Sequence, residues 1–203
     1  DKNGDFLEET SLIKKFRYND GFFRPNMVSN CDYDYIFASK GTQSPLRYEL
    51  NYRNYFMVID GLIKIKLAPP KSSRYLYEEK DYENFEFRSP LNPWNIQKQY
   101  KPDFDKIKML EITVEKGQVL FIPAYWWYSI EFDTETTLIS FKYKTYMNTI
   151  SIIPKILMRF LQTQNIKREI VQKIDINKQN IPIVNKVGLN KDKDKDINKE
   201  KNI

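Results

Sequence analysis

Gly117-Gln-Val-Leu-Phe-Ile-Pro-Ala-Tyr-Trp-Trp-Tyr-Ser-Ile-Glu-Phe132 is the stretch whose reading decides the fold. Residues 118–122 and 126–132 are two short apolar runs rich in β-branched and aromatic residues, which predict strands. Lys116-Gly117 before them and Asp133-Thr134 after them supply turns. Trp126 and Trp127 occupy adjacent strand positions, so one faces the core and the other the outside or a helix. Core packing is the expected role of this pair, ahead of stacking on a ligand.

Working outward, strand signals recur at residues 108–114 and 136–143, and upstream at 33–37 and 46–59, the latter kinked near Asn51. The clearest is Leu62-Ile-Lys-Ile-Lys-Leu67, where a period of two sends Ile63, Ile65 and Leu67 inward. It leaves Lys64 and Lys66 on a solvated face that discourages edge pairing. Pro69-Pro70 ends that strand. Residues 71–105, with Pro90, Pro93 and Pro102, read as a long excursion anchored by Phe85, Phe87 and Trp94. Short strands joined by tight turns predict a mainly β, antiparallel barrel or jelly roll rather than a parallel sheet.

Helical spacing appears only at the ends. Phe6, Leu7, Leu12, Ile13 and Phe16 suit a short amphipathic helix, and Ile150, Ile153, Leu157, Phe160 and Leu161 suit a second. Pro154 is tolerated in the first turn of the latter. The expected division is a flanking helix and loop over 1–32, a barrel over 33–147, a helical segment over 148–175 and a disordered Asn- and Lys-rich tail over 176–203. The broad apolar arc of the C-terminal helix, residues 149–163, predicts burial on more than one side, against the barrel or a second copy of the chain in a homodimer.

The formal charge of +6 is concentrated at one end. Residues 167–203 hold ten Lys or Arg against six Asp or Glu, so a surplus of only two remains for the rest. A near-neutral body with an alternating Lys-Asp tail predicts no specific nucleic-acid partner. Cys31 has no second cysteine to pair with, which fits a reducing compartment. No run of about 18 apolar residues is present to span a bilayer. Because the chain begins at Asp1 rather than Met, a preceding signal or anchor stays open.

There is no histidine in 203 residues. That removes serine–histidine, cysteine–histidine and zinc-hydrolase mechanisms, and no Gly-rich phosphate loop appears among the six glycines.

The opening stretch resembles the second metal-binding motif of the JmjC and cupin-like family, Gly-x-x-Leu-Phe-Ile-Pro-x-x-Trp-Trp-His, with Tyr128 at the place of the final histidine. A second block, Ser44-Pro-Leu-Arg-Tyr-Glu49 followed by Asn54-Tyr-Phe-Met-Val-Ile-Asp-Gly-Leu-Ile-Lys-Ile-Lys-Leu-Ala-Pro-Pro70, resembles the family's Thr-Pro-Leu-His-x-Asp, Asn-Phe strand, Gly-x-Lys hairpin and Pro-Pro end. Ser89-Pro-Leu-Asn-Pro93 and Tyr75-Leu-Tyr77 add to it, so the likeness covers roughly residues 33 to 145. Within the family, the particular wording is similar to cupin-like proteins encoded by giant DNA viruses, which implies host cytoplasm or virion, and otherwise cytoplasm.

The resemblance implies a double-stranded β-helix (a cupin jelly roll) that in active members holds Fe(II) on two histidines and a carboxylate, leaving positions open for 2-oxoglutarate and oxygen. Carried over by position, that triad falls on Arg47, Glu49 and Tyr128, and the lysine that anchors the cosubstrate falls on Ile63. Residues i and i+2 share a strand face, so Arg47 and Glu49 are expected to point inward together. The guanidinium is then expected to stand where iron would, paired with Glu49, with the Tyr128 hydroxyl nearby.

Three functions follow. The favoured reading is a domain that is not an enzyme, takes no cofactor or metal, and acts as a structural or binding module for a small ligand or a protein. The alternative is a divergent Fe(II)- and 2-oxoglutarate-dependent hydroxylase whose unorthodox site uses Glu49, Tyr128 and an acid from the excursion. A third is an anion or sugar binder at the barrel mouth, with Arg47, Arg53, Tyr128 and Trp94 as contacts.

Overall fold

The computed structural model describes residue 9 and residues 11–167. The tail expected over 176–203 and residues 168–175 of the expected helical segment lie outside the described residues, as do Phe6 and Leu7.

After helix α1 (Leu12–Phe23) come ten strands: β1 (Val28–Ala38), β2 (Arg47–Tyr48), β3 (Arg53–Asp60), β4 (Leu62–Ala68), β5 (Glu79–Asp81), β6 (Glu86–Arg88), β7 (Leu110–Glu115), β8 (Val119–Pro123), β9 (Trp127–Phe132) and β10 (Thr136–Thr145). A short helix α2 (Lys101–Phe104) interrupts them, and α3 (Tyr146–Ser151) and α4 (Ile153–Lys167) follow. The strands form a four-stranded sheet, β1-β10-β3-β8, and a six-stranded sheet, β5-β6-β2-β9-β4-β7. Every strand pairing in both sheets is antiparallel, as the jelly-roll expectation requires.

Alternation explains the layers. Phe56, Val58, Ile63, Ile65, Leu67, Ile122, Ile130 and Leu138 point between the sheets and form the main apolar cluster. The opposite row of the four-stranded sheet, Ile139, Phe141 and Tyr143, is covered by Phe23 at the end of α1. A second cluster, around Tyr48, Phe87 and Trp127, lies on the other face of the six-stranded sheet. Trp127 is fully buried there, while Trp126 packs on the main cluster, so the two adjacent indoles serve opposite faces.

The strand assignments needed three changes. Residues 46–59 are not one kinked strand, because β2 and β3 belong to different sheets and the chain crosses between them at residues 49–52. The excursion contributes β5 and β6, three-residue strands too short and polar to show a pattern. Finally β1 starts at Val28 rather than 33, because its first half follows β10 to Thr145 through a register shift near Asn30.

Lys64 and Lys66 guard no edge, since β4 is central between β7 and β9. They reach Asp133 at 3.5 Å and Glu111 at 3.7 Å instead. The β3–β4 hairpin turns on Gly61 at φ 88°, where an added Cβ would stand 2.5 Å from the Glu135 carbonyl oxygen. Only glycine fits that approach.

Candidate functional site

The inward rows change chemistry toward one end of the barrel. On β10 the row runs Leu138, Ser140, Lys142 and Lys144, and on β1 it runs Ala38, Ile36, Asp34 and Asp32. Opposite them, the register places Arg47 of β2 beside Tyr128 of β9, with Arg88 of β6 on its other side. On β1, β9 and β10 the inward row turns polar one step beyond its last apolar residue, Ile36, Ile130 and Leu138, and the short strands β2 and β6 add Arg47 and Arg88 at that end.

The centre of the cluster is Glu49. Its Oε1 accepts the Tyr128 hydroxyl at 2.6 Å and lies 3.3 Å from Lys142 Nζ, while its Oε2 accepts the Asn51 amide at 2.9 Å. Lys142 is shared with Asp34 Oδ2 at 2.9 Å. Burial pushes the Glu49 carboxyl up, but the Lys142 ammonium, the Arg47 guanidinium and the Tyr128 hydrogen bond outweigh it and hold its pKa below the ordinary carboxylate value. Burial pushes the Tyr128 phenol far up and the Glu49 charge adds to that, so it remains protonated and donates. For Lys142, burial is overcome by Glu49 and Asp34, which raise its pKa.

Arg47 is placed differently from the expectation. Its guanidinium carbon lies 5.6 Å from the Tyr128 ring centroid, and its Nε is buried without a hydrogen bond. Glu49 is within Coulombic reach but takes Lys142, not Arg47, as its ion-pair partner. The reason is the sheet crossing: Arg47 is still in the ladder, whereas Glu49 has already left it and offers its carbonyl to Tyr125 N at 3.0 Å. Both side chains still face the barrel interior, Arg47 over the Tyr128 ring and Glu49 on its hydroxyl, while Leu46, Tyr48 and Leu50 take the opposite face.

Arg47, Glu49 and Lys142 line a cleft of about 910 Å³, together with Tyr48, Leu50 and Phe85 among others. Tyr128 is fully buried beneath them. Arg53 and Trp94 are not part of this cleft. Arg53 stands over the Tyr52 ring at 5.4 Å, and the Trp94 indole N–H donates to Ser129 Oγ at 2.8 Å under Lys66. Ile63, at the position of the cosubstrate lysine, is fully buried in the apolar core. Lys142, Asp34 and Asn51 were missed in the sequence. The signal for the first two was a charge on the apolar-facing row of a strand, Lys142 in step with Leu138 and Asp34 in step with Ile36.

The donor set does not fit an iron ion. A guanidinium has no lone pair to give and repels a cation. The Tyr128 oxygen keeps its proton for Glu49, and both Glu49 oxygens are engaged. Among the described residues, no group of three His, Cys, Asp or Glu side chains is placed to hold a metal ion. No described helix is long and apolar enough to cross a membrane.

Comparison with known proteins places this geometry in context. The chain is 27% identical over 128 residues to human HSPB1-associated protein 1, a match covering 62% of this chain and 26% of that protein. The rat HSPB1-associated protein 1 is 30% identical over 95 residues, 46% of this chain and 20% of that one. JmjC domain-containing protein D of Dictyostelium discoideum is 28% identical over 106 residues, 52% of this chain and 23% of that one. This chain thus spans about a quarter of the curated relatives' length. Among solved structures, a cupin superfamily protein from Desulfitobacterium hafniense aligns at TM-score 0.34 with 9% identity, over 57% of this chain and 69% of that one. Residues 8–149 match the family model described as Cupin-like domain. The chain belongs to the cupin-like domain family.

Proposed function

We propose that this cupin-like, JmjC-related domain is non-catalytic, and that it works as a binding or structural module whose metal centre has been replaced by a network of fixed charges. The observation that carries the reading is the engagement of Glu49, the one carboxylate at the three ligand positions. Its oxygens are taken by the Tyr128 hydroxyl, the Asn51 amide and the Lys142 ammonium. A divergent oxygenase would have to free Glu49 from all three and place a cation beside Arg47, against their mutual repulsion.

Elemental analysis after incubation with Fe(II) or Mn(II), alongside an assay of 2-oxoglutarate decarboxylation, tests this. The expected result is substoichiometric metal and no turnover above the buffer. One equivalent of bound iron, or turnover abolished by Glu49→Gln, would establish the oxygenase instead.

The proposal extends to a homodimer through α4. Its Ile153, Leu157, Phe160 and Leu161 are exposed. Its Lys155 turns inward over the Tyr125 ring at 4.5 Å. A helix that presents its apolar residues outward is suited to a second copy of itself. Light scattering should give the mass of two chains, and Leu157→Glu with Phe160→Glu the mass of one. A monomeric parent protein removes this part of the proposal.

A further inference from the structure

Among the described residues, Arg47 is a cation of the cleft with no carboxylate at ion-pairing distance: its polar neighbour is the Tyr128 phenol, and the Glu49 and Glu86 charges act on it from further off. Asp20 is held by Arg24 at 2.7 Å and Asp32 by Lys144 at 3.7 Å, while Asp34 and Glu49 share Lys142 at 2.9 and 3.3 Å. Arg88 lies 2.6 Å from Glu86, close but out of line for a hydrogen bond. Among the described residues, no carboxylate is at ion-pairing distance from Arg47, and its Nε has no acceptor. A buried donor left unpaired is uncommon and points to a partner the chain does not contain.

The surroundings specify that partner. An arginine fork matches the planar, two-oxygen geometry of a carboxylate. The cleft's volume, about 910 Å³, is that of a small-molecule pocket. Tyr48, Leu50, Phe85, Phe87 and Ile152 give it an apolar wall continuous with the second core cluster. Glu49 supplies the selectivity: as an ionised carboxylate within Coulombic reach of Arg47, it tolerates one incoming negative charge on the guanidinium and opposes a second.

We propose that the cleft binds a small monocarboxylate with an apolar body, its carboxylate on Arg47 and its body against Leu50, Phe85 and Ile152. This rests on the non-catalytic reading, in which Arg47 occupies the ligand position that a metal-binding histidine would hold.

Calorimetric titration of the full chain with butanoate, hexanoate, octanoate, succinate and inorganic phosphate tests the idea. The alkanoates should saturate, each added CH₂ tightening binding about fourfold as it is buried, and succinate and phosphate should bind more weakly than hexanoate. Arg47→Lys keeps the charge but loses the fork, and should weaken hexanoate about tenfold with the melting temperature retained. Glu49→Gln should tighten hexanoate and admit succinate, a gain that partial unfolding does not produce. Flat titrations with every alkanoate, an Arg47→Lys affinity equal to that of the parent, or a preference for succinate or phosphate would each overturn the proposal. The two readings fail separately: stoichiometric iron removes the non-catalytic reading, whereas metal-free protein with flat titrations removes only the ligand.

Discussion

Leu138 and Lys142 stand four residues apart on the same inward row of β10, and they mark two halves of one barrel interior. Around Leu138 the space is filled by Phe56, Ile65, Ile122 and Ile130, all nearly or wholly inaccessible. Around Lys142 it is filled by Asp34, Glu49, Asn51 and Tyr128. The ring of Phe56 touches that of Tyr128 at 5.6 Å between centroids, so the two chemistries meet directly. Burial of apolar surface is non-directional and accounts for the first half by itself. The second half cannot be explained that way, because taking ions out of water costs about as much as their pairing returns, and apolar replacements of similar volume are often as stable. A charged interior at one end of an otherwise dry barrel therefore argues for recognition rather than for stability.

Equilibrium denaturation of paired variants should separate the halves. Phe56→Ala removes a ring that is 1% exposed and leaves a cavity among residues that cannot collapse, so a loss of about 3–5 kcal/mol is expected. Lys142→Met keeps most of the volume but leaves Asp34 and Glu49 without their shared cation. Those side chains are 22% and 15% exposed, which lets water relieve part of the penalty, so about 2–3 kcal/mol is expected. Adding Asp34→Asn and Glu49→Gln to Lys142→Met should recover much of that loss, whereas no polar change elsewhere should rescue Phe56→Ala. If Lys142→Met alone is neutral, the ionic half is not a coupled network and the contrast collapses.

The same contrast governs what the sequence revealed. Alternation in Leu62-Ile-Lys-Ile-Lys-Leu67 and in the opening stretch through Phe132 identified the apolar half, because a period of two needs only local information. The positions of Arg47, Glu49 and Tyr128 came from family likeness, and all three do meet at one end of the barrel. Their partners did not come with them. Whether Glu49 pairs with Arg47 or Lys142 depends on where the chain leaves one sheet for the other, and no pattern near Asn51 specifies that crossing. Lys142 is 93 residues away from Glu49 in the chain, a contact made only by tertiary structure. Trp94 looked like a site residue for its chemistry alone, and its indole N–H is consumed by Ser129.

The smallest expected effect is also the most specific. Glu49 has its folded pKa held below the ordinary value of 4.5, so its charge contributes stability that is fully present above that value and is lost as the pH falls through the lowered one. Glu49→Gln cannot titrate. At neutral pH it should be less stable than the parent by about 1 kcal/mol, for the lost charge-assisted hydrogen bonds. As the pH drops below the ordinary carboxylate value, the parent protonates and loses the same advantage, so the two melting curves should converge in acid. The Phe56→Ala deficit contains no titrating group and should persist across that range until global acid unfolding. A Glu49→Gln deficit that stays constant into acid would mean the carboxylate acts through its shape and hydrogen bonding, not its charge. The end of the barrel around Lys142 would then be a polar extension of the core instead of an electrostatic site.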